Sequence, residues 1–429
     1  MFAPGWVRAW LKQVRLRAGF EVRPIDLSAS RDWGLADGMV RHRSGRFFTI
    51  VGVRWEHPCG RIVARPFIEQ RDIGILGFMI RRIDVQPEIL VQAKVEPGNV
   101  GAVQLAPTCQ ATASNAARVH GGDAPPFLTF FEGSGQGVLH ESLQSEQGSR
   151  FLRKRNRNLL VCSSETTADG PVHRWLSVDV LLKLLTVNFL VNTDARSVLI
   201  SSPWEILVNR IPFEGQRDAF ARDLAYSHAQ EPSEMEAVKH DLRTLRERVQ
   251  EPEIAALVDL EGWRITHSGV SPDSGLPFAV RQIHVHAKGR EVSEWDQPMV
   301  DSASEGRIDL ICGRREGVLR FLFRPSVEAG LYNKVELGPS IQTEPGEGSD
   351  ERHKHNVKGE VKAKCWQSEE GGRFFRDTNF YRLIDIGRAS TDTAQGYWLS
   401  LSEIRSLLDE GEWFTNEARS ALSLLLSWA

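Results

Sequence analysis

The sequence predicts an α+β protein in which one unit is used twice, and three observations carry that prediction. Gln144-Ser-Glu-Gln-Gly-Ser-Arg-Phe-Leu-Arg153 returns 223 residues later as Gln367-Ser-Glu-Glu-Gly-Gly-Arg-Phe-Phe-Arg376, with seven of ten positions identical. The same offset joins Trp175-Leu-Ser177 to Trp398-Leu-Ser400 and Asp194-Ala-Arg-Ser197 to Glu417-Ala-Arg-Ser420. Upstream, Val95, Glu96, Leu105, Pro107 and Gln110 pair with Val327, Glu328, Leu337, Pro339 and Gln342 at an offset of 232. A period this long marks a duplicated domain, because solenoid and propeller repeats run at roughly 20–50 residues. Within each copy short β-rich runs outnumber helical stripes, which selects α+β.

The elements follow in chain order. Residues 1–30 read as an N-terminal helical extension: Trp6, Trp10, Leu11 and Val14 recur at helical spacing among the basic residues from Arg8 to Arg17, without the apolar core of a signal peptide. Copy one, residues 31–205, opens on Trp33 and carries strand-like runs at Phe47 to Val53 and Ile89 to Val95. Its helix follows Trp175-Leu-Ser177, with Leu181, Leu184 and Leu185 as the apolar stripe. Residues 206–255 read as a helical linker. Ser233 and Glu236 have capping-box spacing, and Met235, Val238, Leu242, Leu245 and Val249 make a narrow seam. Two heptads are too few to demand a coiled coil, so the seam is expected to pack on the protein's own domains. Copy two, residues 256–429, opens on Trp263 and repeats the strands at Phe278 to Val285 and Leu319 to Phe323. There Ser400 caps a helix with Glu403, and Ile404, Leu407 and Leu408 repeat the stripe.

Composition excludes several classes. At 429 residues the chain exceeds what one core usually serves, in line with two domains. A net charge of −3 provides no field for nucleic acid or an anionic membrane, and no run of 18 apolar residues spans a bilayer. Five scattered cysteines without Cys-x-x-Cys fit a reducing compartment, so a cytoplasmic protein is expected. There is no dinucleotide fingerprint, no Walker loop and no nucleophile elbow. His284-x-His286 and His353-x-His355 lack a third ligand at plausible spacing, so no metal site is expected.

Two clusters could carry chemistry. Gln144 to Asn158 gathers Gln144, Glu146, Gln147, Arg150, Arg153, Lys154, Arg155, Asn156, Arg157 and Asn158. Five cations in that span suit a diphosphate, since guanidinium binds phosphate oxygens bidentately; the alternative is a solvated charged strand and turn. In copy two Glu369, Arg373, Arg376 and Asn379 persist, whereas Lys154, Arg155 and Arg157 become Asp377, Thr378 and Phe380. At most one copy therefore keeps the full set. The second cluster runs from Lys94 through Glu96 and Asn99 to Gln110, Thr112, Ser114, Asn115, Arg118 and His120. His120 stands before two glycines and reads equally as an acid–base group or a structural hydrogen-bonder.

Val91 to Val100, Val103 to Thr108, Leu143 to Gly148, Lys154 to Asn158 and Asn192-x-Asp-x-Arg196 resemble the NDP-hexose 2,3-dehydratase family, over essentially the whole chain. The resemblance implies two Nudix-like domains per chain, a homodimer, and a place in bacterial deoxysugar pathways that decorate secondary metabolites. It implies dTDP-4-keto-6-deoxy-D-glucose as substrate, loss of its C2 hydroxyl, and a 3,4-diketo-2,6-dideoxy product passed to a 3-ketoreductase. The Nudix metal box is not present in the sequence, which fits elimination without a metal or other cofactor. On this reading Glu146 and His120 are candidates for the acid–base pair, and Lys94 or Asn115 for donors to the ketone oxygen. Arg150, Lys154, Arg155 and Asn156 are expected on the diphosphate. Thr112, Ser114, Arg118, Gln144, Gln147, Asn158, Gln342, Ser368, Glu369 and Arg373 are expected to line the substrate site.

The chain departs from the family pattern in both copies. Ser114-Asn-Ala-Ala-Arg118 lacks a Tyr at Ala116. Trp295-Asp-Gln-Pro298 survives in copy two, but copy one reads Val63-Ala-Arg-Pro66. Pro345 to His355 replaces an Asn-Tyr-like stretch. Copy one is the expected catalytic domain, and a site sharing Trp295 or Gln297 across an interface also fits. Two other readings stay open: a sugar-nucleotide-binding partner of the ketoreductase that has lost chemistry, and a Nudix-type hydrolase.

Overall fold

The computed structural model describes residues 3–83, 86–116, 118, 123–132, 137–163, 169–215, 218–273, 278–288, 292–302, 304–344, 357–388 and 396–429. Each copy is built on a seven-stranded sheet of the same wiring. In copy one the order is Val138–Ser145, Arg155–Cys162, Gly74–Ile83, Gln86–Val95 and His173–Ser177. Val103–Ala106 and Cys109–Ala111 extend it along Gln86–Val95 and Gly74–Ile83 respectively. Copy two repeats this with Glu360–Ser368, Thr378–Arg388, Glu305–Arg315 and Val318–Val327. In both, one central pair is parallel, Asn156 opposite Gly74 and Asn379 opposite Gly306. Central strands covered on both faces need near-continuous apolar runs, and Leu76, Phe78, Met79 and Ile80 supply one.

A smaller sheet completes each copy, and here the copies trade strands. Glu253–Ala255, which precedes copy two, pairs antiparallel with Thr49–Glu56 of copy one. Glu21–Pro24, which precedes copy one, pairs antiparallel with Ala279–His286 of copy two. The helices before these strands, Gly5–Ala18 and Met235–Arg248, are both 14 residues long. The first packs on Gln86–Val95 and Val103–Ala106, and the second on Val335–Gly338. The repeat therefore reaches upstream of Trp33 and Trp263 and includes both of these helices.

The linker seam packs on the protein itself: Val238 and Leu242 are buried, and Met235 and Leu245 lie against the core. Its start differs from the expected capping box. The helix begins at Met235 with no side-chain cap, because the Glu234 amide donates to Glu403 Oε1 at 2.9 Å across the fold. At Ser400 both halves of the expected box are present.

Two buried helices, Thr193–Ser201 and Asn416–Ser423, meet where the copies join. Arg196 donates to Ser423 Oγ at 3.1 Å and Arg419 to Ser197 Oγ at 3.0 Å, a reciprocal pair of contacts. The repeated loops cross there too. The Gly98 amide donates to the Gly371 carbonyl at 2.8 Å and the Arg376 amide to Gly98 at 3.0 Å. In mirror fashion the Gly330 amide donates to Gly148 at 2.8 Å and the Arg153 amide to Gly330 at 2.6 Å. A Cβ on Gly98 would overlap the Phe374 carbonyl, and one on Gly330 the Phe151 carbonyl, so glycine is required at both crossings. Among the described residues no helix is long and apolar enough to cross a membrane, and all five cysteines are free.

Candidate active site

A cavity of about 430 Å³ opens over copy one, within the roughly 300–1,000 Å³ typical of small-molecule sites. Glu146 forms part of its wall from the turn after Val138–Ser145. That turn is fixed because the Glu146 amide donates to the Lys154 carbonyl at 3.0 Å. The side chain is buried and accepts from Asn156 Nδ2 and, at 3.2 Å, from Asn416 Nδ2. Gly74 makes the first of these contacts possible, since a Cβ there would overlap the Asn156 amide oxygen. Burial pushes the Glu146 carboxyl up to about 7, against the pull of Arg419 and Lys154.

Two lysines face the same space. Lys154 donates to the Asp72 carbonyl at 2.5 Å with the Asp72 carboxylate 3.6 Å away, and burial lowers its pKa. Lys94 stands on Gln86–Val95 and donates to the Gln110 carbonyl at 3.4 Å. Gln110 in turn holds Glu96 Oε1 at 3.0 Å. At one side Thr112, Ser114 and Asn115 form a hydroxyl-rich turn, with Thr112 Oγ1 2.6 Å from Asn115 Oδ1. Asp194 closes the floor from the first turn of Thr193–Ser201. Its pKa is raised well above the usual carboxylate range by burial and by Glu146, Glu370 and Glu96 nearby.

Copy two supplies the rest. Trp295 and Gln297 reach in from Glu294–Asp301, linked Nε1 to Oε1 at 2.9 Å. Gln297 holds the Gly372 carbonyl at 2.6 Å, which positions the loop carrying Glu370 and Arg373. Arg373 stacks 4.1 Å over the Phe48 ring and donates to Gln70 Oε1 at 3.0 Å. Glu370 is raised to about 7, chiefly by burial, with Arg373 opposing.

Of the residues singled out from sequence, Lys94, Thr112, Ser114, Asn115, Glu146, Lys154, Asn156, Trp295, Gln297 and Arg373 come together here. The expected diphosphate cluster does not stay together. Strand alternation turns Arg155 away from Asn156, toward Glu412 and the Tyr332 ring. Arg150 lies in copy two's counterpart cavity with Gln147, Gln342 and Glu369. Asn158 is buried against Ser197 and Ser201, Gln144 against Ser142 and the Leu408 carbonyl, and Ser368 bonds Gln104. Arg118 is exposed, and His120 lies outside the described residues. The pair His284 and His286 is engaged by Asp296 and Glu294. Glu96 and Gln110 of the second cluster line the cavity too, and sequence reasoning left out Gln70, Asp194 and Glu370. Asp194 stood inside a quoted string, and Glu370 stood where the repeat changes from Gln147.

The counterpart space in copy two is divided, and its inner part, with the matches of Glu146, Lys154 and Asp194, measures only about 30 Å³. Glu344 stands at the partition, paired with Arg150 at 3.0 Å and Arg65 at 3.6 Å, where copy one has Thr112 and copy two has Gln297. Gln147 Nε2 donates to Glu369 Oε2 at 2.6 Å beside them. The outer part is an open groove of about 310 Å³ bordered by Arg61, Arg65 and Arg324, where Ser326 and Glu328 match Lys94 and Glu96.

Only copy one's position keeps an undivided cavity, and it offers buried acids near neutrality beside lysines, the equipment of a proton-transfer enzyme. The chain matches the family described as NDP-hexose 2,3-dehydratase over residues 5–201 and 240–425, and it belongs to that family. A protein of Saccharopolyspora spinosa named dTDP-4-dehydro-6-deoxy-alpha-D-glucopyranose 2,3-dehydratase is 34% identical, covering 98% of this chain and 91% of its own. Proteins of the same name from Streptomyces violaceoruber and Amycolatopsis orientalis are 34% and 32% identical, over 90% and 98% of this chain. A solved structure described as an ADP compounds hydrolase covers 35% of this chain at 16% identity with a TM-score of 0.25, too slight a likeness to carry an argument.

Proposed function

We propose that the protein is a hydro-lyase that removes the C2 hydroxyl of dTDP-4-keto-6-deoxy-D-glucose to give a 3,4-diketo-2,6-dideoxy sugar nucleotide. The observation that carries the chemistry is the buried Glu146 carboxyl, raised to about 7 on the wall of a cavity that also holds Lys94 and Lys154. The C4 ketone acidifies the C3 hydrogen, and a carboxylate with a pKa near the working pH is suited to take it. Lys94 and Asn115 are the donors assigned to the C4 oxygen, where enolate charge develops. Lys154 and Arg373 are assigned to the diphosphate, Arg373 because its guanidinium is held 4.1 Å over the Phe48 ring and donates to Gln70 Oε1. Trp295 provides an aromatic face for the base or the sugar.

The finer parts of the reading rest on the family resemblance. These are Nudix-like halves, a homodimer, and delivery of the unstable diketone to a 3-ketoreductase in antibiotic deoxysugar synthesis, while a cytoplasmic location rests on the five scattered cysteines. The domain division places the second, diverged copy from residue 256, extended upstream to the helix Met235–Arg248 that matches Gly5–Ala18. The test is mass spectrometry on the purified protein with dTDP-4-keto-6-deoxyglucose and a 3-ketoreductase trap, without added metal. Loss of one water supports the dehydratase. Tight binding without loss of water favours a binding partner, and release of a nucleoside monophosphate favours a hydrolase.

A further inference from the structure

The repeated loops differ at one chemically decisive position. Copy one reads Glu146-Gln147 where copy two reads Glu369-Glu370. Because each loop is tied to the opposite copy at Gly98 and Gly330, the first residue of each pair faces its own copy's cavity and the second crosses to the other. In the closed cavity that meeting is the Gln147–Glu369 hydrogen bond at 2.6 Å. The same crossing carries Glu370 into the open cavity, whose wall it shares with Glu146. An amide beside a carboxylate cannot relay a proton, whereas two carboxyls can. The other differences run the same way: Lys94 and Lys154 line the open cavity, and their counterparts are Ser326 and Asp377. The undivided cavity has a titratable pair and two cations. The divided side has a locked amide.

We propose that Glu370, supplied by copy two, is the general acid that protonates the departing C2 hydroxyl, working as a pair with Glu146 as the C3 base. This rests on the dehydratase reading above and gives Glu370 the role that sequence reasoning gave to His120. The pair begins with one proton, on Glu370, and holds two only while the enolate exists. Glu146 carboxylate takes the C3 proton, and the electron pair moves into C3–C4 as an enolate. The C2–O bond then breaks as the C2=C3 bond forms, and the Glu370 proton leaves with the hydroxyl as water. In the tautomerisation Glu146 returns its proton to C2 while Glu370 takes the proton of the C3 enol. Both groups end as they began, and no external co-reactant is consumed. The charged groups acting on Glu370 are Glu96, Glu146, Lys94, Asp194, Lys154 and Arg373 of its own loop. They come from both copies.

The test is Glu370→Gln, which installs the side chain that copy one carries at the matching position, Gln147. Turnover is expected to fall about 10²–10⁴-fold, with dTDP binding by calorimetry unchanged. In D2O the variant is expected to go on exchanging the C3 hydrogen of the 4-keto sugar nucleotide without releasing water. Glu370→Asp should recover part of the elimination. Wild-type turnover in Glu370→Gln overturns the assignment. So does loss of exchange together with elimination while dTDP still binds, or a defect found only in His120→Asn. If the unmodified protein removes no water, the dehydratase reading itself fails.

Discussion

Replacing Glu146 with Gln should abolish activity and yet favour the folded state as pH rises. The carboxyl is buried, and its pKa of about 7 in the folded protein stands above the ordinary 4.5. A raised carboxyl means that the folded state holds its proton more tightly than the unfolded chain. Its contribution to stability is therefore intact below pH 4.5 and is lost as pH climbs through about 7. At about 1.4 kcal/mol per unit, ionising this group inside the fold costs roughly 3 kcal/mol by pH 8 and only about 1 kcal/mol at pH 5. Glutamine escapes that cost but presents an amide donor to Asn156 or Asn416, both of which donate to the native carboxyl. Such a mismatch costs about 1–3 kcal/mol at any pH. Urea unfolding of both proteins at pH 5 and pH 8 should show the variant gaining about 2–3 kcal/mol on the native chain between the two. Turnover should drop about 10²–10⁴-fold, while the native kcat/KM follows a bell near pH 7, rising as the Glu146 base ionises and falling as the Glu370 acid does. A deficit that stays constant from pH 5 to pH 8, with turnover retained, would refute both the buried-acid argument and the assignment of the base.

Other perturbations reach other parts of the argument. Arg373→Ala should weaken dTDP binding about 10–100-fold, the worth of a charged hydrogen bond, and Arg373→Lys should not restore it, because lysine cannot stack flat on Phe48; calorimetry with dTDP measures both. Lys94→Met should lower kcat more than it raises KM in the coupled dehydration assay, if Lys94 serves the enolate oxygen. Gly98→Ala should cost about 1–3 kcal/mol or more in urea unfolding, because the new methyl meets the Phe374 carbonyl where the copies cross. Residues 1–230 expressed alone should not yield a cooperative unfolding transition, since Glu253–Ala255 is missing from the sheet of Thr49–Glu56.

Much of the site was legible because it lies in local strings that the duplication sets side by side. Glu146, Lys154 and Asn156 are close in the chain, and Lys94 to Asn115 surround a strand pair that brings them to one edge. What could not be read is where adjacent residues point. Arg155 follows Lys154 yet leaves the cavity through strand alternation, and Arg150 belongs to the other copy's ion cluster. Glu370 was passed over because it is a position where the repeat changes, whereas its identical neighbours Ser368, Glu369 and Arg373 were singled out. Only the crossing at Gly98 and Gly371 brings it into copy one's cavity. The capping boxes teach the same point: Ser400 caps as its sequence predicts, whereas the Glu234 amide finds a tertiary partner that no local pattern encodes.

The traded strands Glu21–Pro24 and Glu253–Ala255 give the chain the connectivity of a swapped homodimer whose two subunits have been sewn end to end. Identical subunits must carry identical residues at both of their shared sites, so neither site can specialise without the other. Once a single polypeptide encodes both, that constraint is lifted. One pocket can close around Arg65, Glu344 and Arg150 and become a strut, while the other draws its working groups from two ancestral subunits at once. Neither half can then be inherited, lost or transplanted without its sister.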